Sequence, residues 1–164
     1  MSIVNDIAED MIRHEAGCRS RVAHFLKVAA YARLIASQET DDSQLCQLIE
    51  LTALTHDIGI KPSLAKYGSA TGPLQEKEGP PLAQILFADT GLAQEQTSRI
   101  CWLIGHHHTL QPIDGLDHQI IIEADFLVNA DEGALPIASV KKFRDEHFRT
   151  KTGTRLLNLL FDLD

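Results

Sequence analysis

Apolar residues recur at helical spacing through almost the whole chain, and a few ionisable residues fall on the apolar stripes rather than on the polar faces. That periodicity predicts helices at about residues 3–15, 20–37, 42–57, 80–90, 93–107, 118–131, 137–148 and 153–160. Ser20 and the "ETDDSQL" stretch suit helix starts, whereas Gly17, Gly59 and Pro62 suit stops. No segment shows convincing β-alternation. The expectation is an all-α, compact single-domain bundle of about seven to eight helices. Residues 59–78, "GIKPSLAKYGSATGPLQEKE", read as the one long irregular segment. Its "YGSATG" portion suits either a flexible turn or a lid over a site.

Length and charge narrow the class. A chain of 164 residues with 44% hydrophobic content can bury one sizeable core, so residues 1–164 are expected to form one domain. Its motifs occupy 21–131, and the helices over 137–161 pack on that core. A formal charge of −8 without a polybasic run argues against duplex nucleic acid as a partner. A small phosphorylated ligand is compatible, because local positive charge can override the global sign. No apolar stretch approaches the roughly 18–20 residues that span a bilayer. The N-terminal "MSIVNDIAEDMIRHEAG" lacks a basic start followed by an apolar segment. Cys18, Cys46 and Cys101 are isolated, as expected of reduced thiols. The chain is therefore expected to be cytoplasmic, without a membrane partner; homo-oligomerisation stays open.

The ionisable residues on apolar stripes carry the chemistry. His24 shares an arc with Val28, Tyr31 and Ile35, with Arg21 one turn earlier. His56, beside Asp57, falls amid Leu45, Leu48, Ile49 and Thr52. Asp125 has Ile121, Ile122, Val128 and Asn129 three and four positions away. An ionised carboxylate facing a core costs several kcal/mol unless it is paired or bound to metal. One such residue is most simply a hydrogen-bonded structural group. Inward-facing ionisable groups on three helices instead suit a metal site in a bundle core. Imidazole and carboxylate donors together favour a divalent transition metal such as iron, manganese, cobalt, nickel or zinc. The triplet His106-His107-His108 adds further candidate ligands, or a helix end favoured by the dipole.

The ordered set His24, His56-Asp57, a downstream histidine and Asp125 resembles the HD-domain superfamily of metal-dependent phosphohydrolases. Context agrees in "RVAHFLKVAAYARLIA", "LTALTHDIG" and "IIIEADFLVNADE". The resemblance implies an all-helical fold in which His24, His56, Asp57 and Asp125 hold one divalent metal. Some branches, including cyclic-dinucleotide phosphodiesterases and diadenosine tetraphosphate hydrolases, look like binuclear sites. By that likeness Asp57 would bridge to a second ion held by His107, His108 and Glu78. His106 suits a substrate contact or a role behind the ligands. Two departures stand out. Glu78 occupies the place of a histidine found in binuclear branches, where it would be a ligand or, like Glu76, a general base; it could equally just charge a helix turn. Ile60 occupies the usual place of a family lysine, and Lys61 follows it.

The expected activity is hydrolysis of a nucleotide-like phosphoester or phosphoanhydride by a metal-activated water. Asp57, Glu78 and Lys61 are the candidate catalytic residues, and Arg21, Lys61 and His106 the candidate substrate contacts. A salt bridge to an acidic ligand is the plainer use of Arg21. The sequence continues "TLQPIDG" after the histidines, without the "GYP" of the cyclic-di-GMP branch. Alternative readings are an HD-type di-iron oxygenase and a non-catalytic, ligand-sensing HD module. The basic run "VKKFRDEHFRTKTGTRLL" reads as a solvated helix face followed by a Thr-capped final helix, the alternative being that Arg149 or Lys151 reaches a phosphate mouth or a partner.

Overall fold

The computed structural model describes residues 2–163, which form nine helices and no strand. In chain order these are α1 (Ile3–His14), α2 (Arg19–Glu39), α3 (Ser43–Thr55), α4 (Ile60–Tyr67), α5 (Gly72–Phe87), α6 (Gln94–Ile104), α7 (Gly115–Glu132), α8 (Ile137–His147) and α9 (Lys151–Phe161). The all-α expectation holds, and no described helix is long and apolar enough to cross a membrane.

α7 is the central helix. Its residues 117–128 and 130 are all buried, so it meets protein on every side rather than along one stripe. α2 lies against it through Phe25, Val28, Ala29, Ala32, Ile35 and Ala36. The alanines leave room for close helix approach. α3 completes the central trio with Leu48, Ile49, Leu51 and Leu54, and its N-terminus is capped by the Asp42 carboxylate, which accepts from the Gln44 and Leu45 amides. Ile7 and Met11 of α1 cover α3 from outside.

The C-terminal helices are fastened to this trio by buried polar groups. Glu123 of α7, fully buried, accepts from the Arg149 and Thr150 amides, the Thr150 hydroxyl and the Gln119 side chain. Glu39, at the end of α2, accepts from the Thr152 amide at 2.7 Å. These carboxylates thus satisfy orphan donors at the start of α9. Phe126 of α7 stacks on Phe143 of α8, with ring centroids 3.7 Å apart.

Residues 59–78 differ from expectation. Instead of one irregular stretch they form α4, a short connection that opens with Gly68 in the left-handed region (φ 66°), and the first half of α5. The next helix was expected to begin at Pro80, yet α5 runs through both Pro80 and Pro81. Each proline removes one amide donor from the helix. Packing supplies the compensation, with Pro80 lying against Gly105 beyond α6. The close approach of Gly59 to α5 is equally decisive. A Cβ on Gly59 would stand 2.5 Å from the Gln75 carbonyl oxygen and 2.9 Å from the Gly79 amide. Local pattern alone could not show that contact.

Gly59→Ala should therefore push α5 away from the turn after α3. Forced overpacking of this kind costs about 1–3 kcal/mol. Thermal unfolding followed by circular dichroism should show a lower Tm, by several degrees; an unchanged Tm would mean that the two segments are not in contact.

Candidate metal centre

Each element brings one piece of the cluster. α3 ends at Thr55, and the turn that follows presents His56 and Asp57 together. α2 contributes His24 and α7 contributes Asp125, while α6 ends just before the turn that carries His107 and His108. The His24 Nε2 atom lies 3.2 Å from Asp125 Oδ1 and 3.5 Å from Asp57 Oδ2. His56 Nε2 lies 3.4 Å from the same Asp125 oxygen and 3.5 Å from Asp57 Oδ2. The other Asp57 oxygen faces His107 Nε2 at 3.6 Å. Asp57 consequently belongs to two groups that could hold a metal ion, His24–His56–Asp57 and Asp57–His107–His108.

The far nitrogens of these rings are all engaged. His56 Nδ1 donates to the Ala53 carbonyl and His107 Nδ1 to the Ile104 carbonyl, each at 2.7 Å, and His24 Nδ1 donates to Glu132 at 2.8 Å. Such contacts fix the tautomer and aim each Nε2 lone pair inward, as in metal-ligating histidines generally. His56 Nε2 and His107 Nε2 are buried and have no hydrogen-bond partner. Buried polar atoms are rarely left so. A cation between these nitrogens and the two carboxylates satisfies them, so the residues present fit a divalent metal.

Electrostatics point the same way. Burial opposes charge on His56, but Asp57 and Asp125 outweigh it and raise its pKa from the ordinary 6.5 to about 9. His24 is likewise raised: burial pulls it down, and the bond to Asp125 and the charge of Asp57 pull it up further. Burial would raise both aspartates, yet His56 and His107 hold Asp57 low, and His24 and His56 hold Asp125 low. The two carboxylates stay ionised and demand positive charge beside them. His108 behaves oppositely. Ring burial and the neighbouring His107 lower its pKa to about 4, which keeps its imidazole neutral.

The cluster opens into a cleft of about 290 Å³ lined by Ser20, Arg21, His24, Asp57, Ile60, Gln75, His108, Asp125, Asn129 and Glu132. Arg21 reaches this cleft while its Nε donates to the buried Glu15 carboxylate at 2.5 Å. Both uses foreseen for Arg21 are thus compatible, although its acidic partner is not one of the ligands. Three other expected site residues lie elsewhere. Glu78 accepts from Lys66 and from the Tyr67 hydroxyl, because at its position in α5 it faces the end of α4 rather than the cluster. Lys61 turns back to cap α1, its Nζ donating to the His14 carbonyl at 2.6 Å. His106 stacks on Trp102 at a centroid distance of 4.0 Å, and its Nδ1 donates to the Trp102 carbonyl.

Gln75 takes the place imagined for Glu78. Its buried side chain faces His108 Nε2 at 3.1 Å, and its neighbour Glu76 accepts from the His108 amide and the Thr109 hydroxyl. Gln75 escaped sequence reasoning because its segment looked irregular. Glu132 and Asn129 escaped it too, yet both recur four and seven positions after Asp125, on one helix face. That spacing is a signal the sequence did contain.

A family model for the HD domain matches residues 21–134. A crystal structure of a predicted HD superfamily hydrolase from an uncultured Thermotogales bacterium superposes with a TM-score of 0.67 at 23% sequence identity. The match covers 98% of this chain and 83% of that one, and it establishes likeness of fold. Comparison with curated proteins gives no match.

The raised pKa of His56 makes metal-free stability pH-dependent. Its proton stabilises the folded state fully below the ordinary pKa of 6.5, and that contribution is lost as pH rises through about 9. Thermal unfolding in chelator should therefore show Tm falling across this window. Saturating divalent metal should flatten the fall, since a cation replaces the proton. A metal-free Tm that climbs with pH over the same range would contradict the arrangement.

Proposed function

The chain belongs to the HD-domain family, and from that premise we propose that it is a divalent-metal-dependent phosphohydrolase acting on a small nucleotide-like phosphoester or phosphoanhydride. The observation that carries this reading is the convergence of His24, His56, Asp57 and Asp125, all but the buried His56 lining one open cleft, with buried ring nitrogens aimed at two ionised carboxylates. The His24, His56, Asp57 and Asp125 side chains would hold one ion, and Asp57, His107 and His108 a second. Such an ion supplies Lewis acidity towards a phosphoryl oxygen and towards the attacking water.

The chain's own residues do the positioning. Arg21, fixed by Glu15, presents guanidinium N–H groups beside the cluster, where they suit phosphoryl oxygens. Ser20 and Asn129 add neutral hydrogen-bonding groups along the same cleft, and the Gln75 oxygen faces His108 while its amide nitrogen donates to the Ala70 carbonyl. Glu132 holds the His24 ring in place and is itself paired with Lys27 at 2.6 Å, which keeps that carboxylate charged. This reading gives Glu78 and Lys61 no role, since both make their hydrogen bonds outside the cleft. The Asp57–His107–His108 group gives the oxygenase alternative its one foothold, and oxygen consumption by iron-loaded protein would separate the two.

Purified protein loaded with manganese, iron, cobalt, nickel or zinc should release phosphate from at least one member of a nucleotide and sugar-phosphate panel. Asp57→Ala should abolish turnover, and Arg21→Ala should mainly raise KM. Glu78→Gln should leave turnover near that of the parent chain. Full activity in Asp57→Ala, or no phosphate release with any metal, would overturn the reading.

A further inference from the structure

A second recess adjoins the polar cleft. It has a volume of about 190 Å³ and is lined by His107, His108, Leu110, Ile122, Asp125, Phe126, Asn129 and Phe143. His108, Asp125 and Asn129 line both spaces. Two of the candidate ligands, Asp125 and His108, therefore stand at a junction. On one side lie Ser20, Arg21, Gln75 and Glu132 with the apolar Ile60; on the other, His107 faces an apolar wall of Leu110, Ile122, Phe126 and Phe143.

Resting on the phosphohydrolase reading, we infer that the apolar wall of this recess receives the organic part of the substrate, and that this part is a single compact, flat, apolar or aromatic ring. Three observations converge. Four apolar side chains beside a charged cluster offer no hydrogen bonds, so they select by shape and burial. Its walls are preorganised: Phe126 and Phe143 stack face to face with 3° between their planes, and Phe148 meets Phe126 edge-on at 5.9 Å. A rigid wall loses little freedom when a ring packs on it. The recess is also small, below the roughly 300–1,000 Å³ typical of pockets that enclose drug-sized ligands. One ring fits; the second half of a dinucleoside polyphosphate stays outside.

Asn129 is the polar mark at the boundary. It sits one turn after Asp125 on α7, and its amide can donate to or accept from a heteroatom on the ring or its linker. Leu110 closes the recess from the connection between α6 and α7, which makes it the wall most easily altered without disturbing a helix.

The test uses non-hydrolysable probes, so that it does not depend on turnover. Phenylphosphonate and methylphosphonate share the metal-directed group and differ in the ring. Calorimetric titration of the metal-loaded full chain should give a phenylphosphonate Kd lower than that of methylphosphonate by about tenfold or more, the ratio expected from burying one aromatic ring. Leu110→Ala and Phe143→Leu should each bring this ratio towards one. Equal affinity of the two probes for the parent chain would overturn the inference, as would variants that weaken both probes in proportion, or no binding of either. The phosphohydrolase reading is judged separately, by phosphate release from the substrate panel. Turnover without preference for a ring leaves that reading standing and removes this one.

Discussion

Two carboxylates, Asp57 and Asp125, lie side by side among three imidazoles inside a helical core, and their demand for positive charge is the constraint around which the fold is arranged. Burial penalises an ionised carboxylate strongly, and two like charges at close range penalise each other. Protons on His24 and His56 offset this in the metal-free protein. A divalent cation would offset it more completely, and would also satisfy ring nitrogens that no hydrogen bond reaches. The central packing of α2, α3 and α7 has little other reason to interrupt three apolar stripes at the same level.

The surrounding structure serves to hold that arrangement still. Backbone carbonyls of Ala53 and Ile104 fix two histidine rings from within their own turns, and Glu132 fixes the third from the end of α7. α7 is itself gripped from both faces. Asp125 looks to the cluster, while Glu123, two residues earlier and on the opposite face, receives the donors at the start of α9. The C-terminal helices thus act on the site indirectly, by locking the helix that carries its most buried carboxylate. Gly59 contributes in the same way, letting α5 close over the turn that bears Asp57 and bringing Gln75 to His108.

What could be read in advance divides along physical lines. The helices around His24, His56 and Asp125 were legible because their apolar periodicity is strong, and because an ionisable group on a core-facing stripe is conspicuous. Residues 59–78 were not. Prolines and glycines normally end helices, but here close packing against Gly59 and Gly105 outweighs local preference, and α5 passes through Pro80 and Pro81. The misplacement of Glu78 follows from that error, since helical phase decides which of Gln75, Glu76 and Glu78 faces the cluster. Lys61 shows a different limit: a flexible side chain takes whichever acceptor is nearest, and here that is the end of α1. Arg21 needed three-dimensional information of another kind, because its partner Glu15 lies on the far side of a turn between helices.

The most direct examination of the central claim is an anomalous-diffraction map from crystals of the chain equilibrated with manganese, iron or zinc. The account requires a peak among His24 Nε2, His56 Nε2, Asp57 and Asp125, at the roughly 2.0–2.2 Å nitrogen and oxygen distances usual for zinc or a similar ion. No peak there with any of these metals, or a peak held by Glu78 instead, would contradict it.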